Sequence, residues 1–147
     1  MQSLPHHYRV AAAATTESAV TLSAAGLQPI ASAPPAEFGG PGDLWSPESL
    51  LVAAVADCFV LSFRAVARAS RLDWISLACE VDATLERQDG MTLFTKFLTT
   101  ARLEVPAGAD AERARKLLTK AEQVCLITNS LKAECHLDAD VRTSSEA

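Results

Sequence analysis

The sequence predicts an α+β fold in which antiparallel strands surround one apolar helix, and three observations carry that expectation. The apolar residues change from a helical spacing to strict alternation near Asp73, an Asp89-Gly90 pair interrupts the alternating run, and alternation returns at the C-terminal end. Tyr8 to Thr16 and Ser18 to Ala24 read as two short strands, so residues 1–27 form an N-terminal strand region. Residues 28–47 hold five prolines and three glycines and read as a loop without regular structure. It ends in Ser46-Pro47-Glu48, where serine caps, proline suits the first helical position and the acid complements the helix dipole. The helix predicted over 48–71 is apolar on nearly every side from Leu50 to Phe63, which predicts burial all round. It turns basic at Arg64, Arg68 and Arg71.

Residues 73–105 read as a β-hairpin. Ile75, Leu77, Cys79, Val81, Ala83 and Leu85 share one face, and Met91, Leu93, Phe97, Leu103 and Val105 continue it until Pro106. Asp110 caps a helix through Val124, a further short helix brings the helical region to 110–132, and a last strand covers 133–142. In that strand Ala133, Cys135, Leu137, Ala139 and Val141 face inward. Thr143 to Ala147 reads as frayed.

A chain of 147 residues bounds the fold to a single domain, 1–147. Thirteen Lys and Arg against eighteen Asp and Glu give a net charge of −5 with no basic cluster, so no nucleic-acid partner is expected. The longest apolar run, Leu50 to Phe63, falls short of the roughly 20 residues that cross a bilayer, and the first residues lack the apolar segment of a signal peptide. A cytoplasmic protein with no membrane contact is the expectation. Cys58, Cys79, Cys125 and Cys135 show no CxxC or Cys/His ligand spacing, His6 and His7 are adjacent, and His136 faces outward, so no metal is assigned. Cys79 and Cys135 fall on apolar strand faces, where a thiol behaves as a small hydrophobe. Cys58 in the apolar helix and Cys125 at a helix boundary are the two candidates for thiol chemistry.

The stretch from Ser46 to Phe59, SPESLLVAAVADCF, resembles the Pro-Glu-x-Leu-Leu-x-Ala-Ala-x-x-x-Cys-Phe segment of the OsmC/Ohr family of peroxide-detoxifying proteins. Ala33 to Gly40 is similar to that family's loop, and Gln123 to Ser130 to its second-cysteine segment. The resemblance implies an OsmC-like fold, with antiparallel sheets around a buried central helix carrying a cysteine, assembled as an intertwined homodimer. It implies a thiol peroxidase that reduces organic hydroperoxides to alcohols, with Cys58 peroxidatic, Cys125 resolving through a Cys58–Cys125 disulfide, and Glu48 orienting or acting in acid–base work. A dithiol reductant, lipoyl-type in the family, closes the cycle, and no cofactor is called for. Ten helical residues rise about 15 Å, so Glu48 cannot touch Cys58 of its own straight helix, and Glu48 of a partner chain is the alternative to a broken helix. Phe38, Trp45, Leu51 and Phe59, with Leu50 and Leu61, are the expected apolar substrate lining.

Family members that act on organic hydroperoxides carry an arginine in the early strand region, whereas residues 10–63 here contain no Lys, Arg or His, and Glu17 and Ser18 align best with that position. Asp57 adds an acid beside Cys58, and Arg64 is the nearest basic residue along the helix. These departures keep open an alternative reading, a module of the same fold that binds an apolar ligand or senses redox state.

Overall fold

In the computed structural model, which describes residues 1–145, nine principal elements follow in order. They are β1 (Ala11–Ala13), β2 (Val20–Ser23), β3 (Ile30–Ser32), α1 (Pro47–Ala69), β4 (Ser76–Gln88), β5 (Met91–Val105), α2 (Ala111–Val124), α3 (Leu126–Asn129) and β6 (Glu134–Thr143). Glu146 and Ala147, the end of the stretch read as frayed, lie outside the described residues. The chain forms two compact units, Met1–Leu51 and the remainder from Val52.

In the first unit β2 lies between β1 and β3, antiparallel to both. The loop predicted over 28–47 is corrected here, because it contains β3. Ile30, Ala31 and Ser32 fall between Pro29 and Pro34 and keep the amides that pairing with Val20–Leu22 requires. The rest of the segment is folded on itself. Ala33 N donates to the Trp45 carbonyl at 2.9 Å, and Gly40 N donates to the Pro35 carbonyl at 3.0 Å. Gly40 is obligatory there, since a Cβ would sit 1.6 Å from the Pro34 carbonyl oxygen. Ser46 caps as expected: Ser49 N donates to Ser46 Oγ at 3.1 Å while Ser46 N donates to Ser49 Oγ at 2.8 Å. Ser49 plays the reciprocal part that Glu or Gln takes in the usual capping box.

The second unit is a three-stranded sheet, β4-β5-β6, with helices on one face. β4 and β5 pair antiparallel through the Asp89-Gly90 turn, where both residues hold positive φ (49° and 80°), as a two-residue hairpin demands. β6 returns parallel to β5 after α2 and α3, so this sheet is mixed and the expectation of purely antiparallel sheets is corrected: a strand that follows a helical crossover can return in the same direction as its neighbour. The inner face carries Phe97, Ala101, Leu103 and Val105 of β5, packed with Leu77 and Cys79 of β4 and Leu137, Ala139 and Val141 of β6. Asp110 caps α2 by accepting from Arg113 N at 3.0 Å. The Arg113 guanidinium donates to the Ser70 carbonyl, and Arg115 donates to the Ala139 carbonyl.

Two further expectations about this unit are corrected. Met91 is 63% exposed, because the inward face narrows toward the hairpin tip beyond the register shift at Thr84/Leu85. The apolar helix is not buried all round either: in α1 only Val55, Phe59, Phe63 and Ala67 are buried. Their four-residue spacing makes a single stripe, and a stripe is all that one sheet and one neighbouring helix can cover. The helix also extends well past the apolar run, and at 23 residues it is long and apolar enough to cross a membrane by length and composition. Its stripe, however, packs against β5 and α2 in the core.

Phe63 is fully buried and meets Trp74 edge-on, ring centroids 5.4 Å apart. Phe63→Ala should lower unfolding free energy by about 3–5 kcal/mol, measured by denaturant titration of the reduced protein.

Candidate thiol site

One residue of α-helix turns the side chain by about 100°, so the rotation that buries Phe59 turns Cys58 onto a neighbouring face. That face carries Ala54, Asp57, Cys58, Leu61, Ser62 and Ala65, at spacings of three and four residues, and with Leu126 and Ile127 of α3 it walls a cleft of about 440 Å³. Cys58 is half-buried, and its sulfur lies 3.8 Å from Ser62 Oγ, one turn further on. Asp57 is exposed and is the one charged residue of the lining.

Cys125 sits where α2 gives way to α3. Its extended backbone (φ −65°, ψ 106°) ends the first helix and starts the second, and its side chain is 1% exposed. Burial alone pushes this thiol up. The hydroxyl and amide of Thr128, the Cys58 thiol and the Ile127 amide outweigh that, and together hold Cys125 below the ordinary thiol range. Thr128 Oγ1 also lies 3.2 Å from the Cys125 carbonyl. A hydroxyl has one proton, so it donates to that carbonyl beside a thiol and turns to the sulfur beside a thiolate. The α3 cap has no closed side-chain hydrogen bond, which leaves the Ile127 and Thr128 amides free to tighten on a charged sulfur.

The other two thiols are pushed the opposite way. Cys79, half-buried on β4, is raised to about 11 by burial and then by the charge of Glu80. Cys135 is raised by burial, then by Glu122 and Cys125. Glu122 is itself raised by burial, an effect that His136 partly opposes. All four cysteines are free.

The structure therefore brings Cys58 and Cys125 together. Glu48 lies in the first turn of α1, and among the described residues its buried Oε2 has no hydrogen-bond partner. Phe38 and Trp45, both in the first unit, are 60% and 52% exposed, and Leu51 is half-buried. The assignment of Phe59 to the substrate lining is corrected: it is 2% exposed and belongs to the core cluster, because it lies on the sheet-facing stripe of α1. Leu61 does line the cleft. Sequence reasoning passed over Ser62 and Thr128. The signal was present, since a hydroxyl four residues after one helical cysteine and three after a helix-starting one both fall on the cysteine's own face. Among the described residues no three His, Cys, Asp or Glu side chains gather as a metal site would require.

A two-unit α+β protein with a helix-borne thiol on an apolar cleft and a second, buried thiol beside it is the class that these features define. The model of the OsmC-like protein family matches residues 40–140, and the chain belongs to that family. It is 27% identical over 117 residues to the uncharacterized protein YmaD of Bacillus subtilis, covering 76% of this chain and 78% of that one. It is 29% identical over 98 residues to the peroxiredoxin OsmC of Escherichia coli, covering 67% and 68%. Among solved structures, an OsmC-like protein of unknown function from Vibrio cholerae superposes with a TM-score of 0.79 at 19% identity, covering 90% of this chain and 99% of that one. The OsmC-like fold predicted from the sequence is thus the fold observed.

On titration, a thiolate step below the usual thiol range should appear and vanish in Cys125→Ser, while the step due to Cys79 should come near pH 11. Ultraviolet absorbance of the thiolate across pH measures both.

Proposed function

We propose that this protein is a two-cysteine thiol peroxidase that reduces organic hydroperoxides to alcohols. The observation that carries the reading is the pairing of two unlike thiols: Cys58 opens on an apolar cleft, and Cys125 is buried beside it among donors that favour a thiolate. The peroxiredoxin OsmC of Escherichia coli, 29% identical over 98 residues, supports it at family level.

In this reading the Cys58 thiolate attacks the distal oxygen of the hydroperoxide. The O–O bond breaks, the alkoxide leaves and takes a proton to become the alcohol, and Cys58 is oxidised to a sulfenic acid. Cys125 then attacks the Cys58 sulfur, hydroxide leaves and is protonated to water, and a Cys58–Cys125 disulfide remains. A dithiol reductant returns both to thiols. Leu61, Ala54 and Ala65 on the cleft suit a substrate with an apolar body. Four free thiols suit a reducing cytoplasm.

The reading also takes the protein to be a homodimer, with Glu48 reaching the thiol site of the partner. α1 is continuous from Pro47 to Ala69, which favours the partner-chain alternative over a broken helix, and the buried Glu48 Oε2, without a hydrogen-bond partner among the described residues, is consistent with a donor supplied by a second copy.

Brief treatment of the reduced protein with one equivalent of cumene hydroperoxide should remove two hydrogens from its mass, mapped to a Cys58–Cys125 disulfide. Cys58→Ser should lose hydroperoxide consumption by at least about a hundredfold. An unchanged mass, or a Cys58→Ser protein as fast as the parent, overturns the peroxidase reading. In sedimentation, the reduced protein should run at twice its chain mass, and a monomer would remove the proposed role of Glu48.

A further inference from the structure

The proposed cycle leaves open which of its two sulfurs the reductant meets, and the geometry differs sharply between them. Cys58 lines the 440 Å³ cleft and is half-buried. Cys125 is 1% exposed and forms no part of that lining. Joining the two sulfurs adds a covalent neighbour to each and opens no path to the buried one. A thiolate entering from solvent along Ala54, Leu61 and Leu126 therefore reaches the Cys58 side of the bond.

The leaving group follows the same asymmetry. Thiol–disulfide exchange is faster when the departing sulfur is the better stabilised thiolate. Around Cys125 stand the Thr128 hydroxyl and the Ile127 and Thr128 amides, while Cys58 has Ser62 Oγ at 3.8 Å and an acid, Asp57, next to it in the chain. Access and leaving-group stability select one direction. Resting on the peroxidase reading above, we propose that the Cys58–Cys125 disulfide is opened by attack on Cys58, with Cys125 departing as the thiolate, so that the reductant is carried as a mixed disulfide on Cys58.

Electrons and atoms balance in two exchanges. The reductant's thiolate places its electron pair on Cys58 Sγ, and the pair of the broken S–S bond leaves on Cys125 Sγ. The reductant's second thiol, deprotonated, then attacks its own partner sulfur and expels Cys58 as a thiolate. The dithiol is oxidised to a disulfide, the protein gains the two electrons, and the two protons released by the dithiol balance those taken up by the cysteines. Lacking any Lys or Arg in its lining, the cleft offers no pairing for an anionic thiol, and its apolar walls favour an uncharged one.

The test uses full-length protein whose disulfide is made with diamide, so the direction of opening is measured whether or not hydroperoxide is a substrate. The oxidised protein is mixed with excess 2-mercaptoethanol, an uncharged monothiol, quenched in acid within the first turnover to stop exchange, and mapped by peptide mass. The expected result is mixed disulfide on Cys58 exceeding that on Cys125 by about tenfold or more, with Cys125 recovered as free thiol. Adduct chiefly on Cys125, equal adducts on both, or failure of diamide to join the two sulfurs overturns the proposal. A second measurement isolates the leaving group. Thr128→Val should slow reduction of the disulfide by dithiothreitol about fivefold, and Thr128→Ser should restore it, since either hydroxyl can serve the departing sulfur. Equal rates in all three proteins would also overturn it.

Discussion

The rotation of α1 about its own axis is the constraint on which the thiol site depends. Val55, Phe59, Phe63 and Ala67 recur every four residues, the last three of them join β5 and α2 in the core, and Phe63 is further held by the edge of Trp74. A close-packed interior tolerates no slip of one residue along such a stripe, because each large side chain would then meet a small one. That lock alone sets the direction of Cys58. It places the thiol, with Ser62 and Leu61, on the wall of a cleft rather than inside the core, although Cys58 and Phe59 are neighbours in sequence.

From that starting point, three of the cysteines of one small fold divide into two kinds. Cys79 shares the inner face of the sheet with the core and has an acid beside it, so burial and charge act in the same direction and keep it protonated. Cys135 is treated alike by burial, Glu122 and Cys125. Cys125 is the most deeply buried of them and yet moves the other way, because the break between α2 and α3 leaves backbone amides and a hydroxyl turned toward its sulfur. Burial therefore does not decide thiol character here. What decides it is whether the surrounding backbone has donors to spare, and a sharp helix-to-helix junction is where donors are left over.

Much of this was legible in the sequence, for identifiable reasons. The hairpin declared itself through a two-residue period and the Asp89-Gly90 pair, whose side chain and lack of one tolerate the positive φ both residues adopt. The starts of α1 and α2 declared themselves through Ser46 and Asp110, since capping is a local event between residues three apart. β3 stayed hidden because three residues carry no period, and its pairing partner is the only reason it is a strand. The uniform greasiness of α1 concealed which stripe would face this chain's own sheet, and so Phe59 was placed on the cleft when it is core. The meeting of Cys58 with Cys125 is a tertiary fact, produced by α2 running back over the sheet, and was reachable from the chain alone only through a family resemblance.

The absence of Lys, Arg and His between residues 10 and 63 takes on a physical meaning once the site is seen. A guanidinium acts on a thiolate over many ångströms and is weakened by salt, so a site built on one is strong but sensitive to its ionic surroundings. At Cys125 the donors are neutral: the Thr128 hydroxyl and the Thr128 and Ile127 amides. Neutral donors act only at contact distance, where salt scarcely reaches, and their effect depends on the placement of α3 to within fractions of an ångström. At Cys125 the geometry of a four-residue helix thus sets the character of the thiol. The packing of α2 against the sheet, which sets where that helix begins, becomes part of the chemistry.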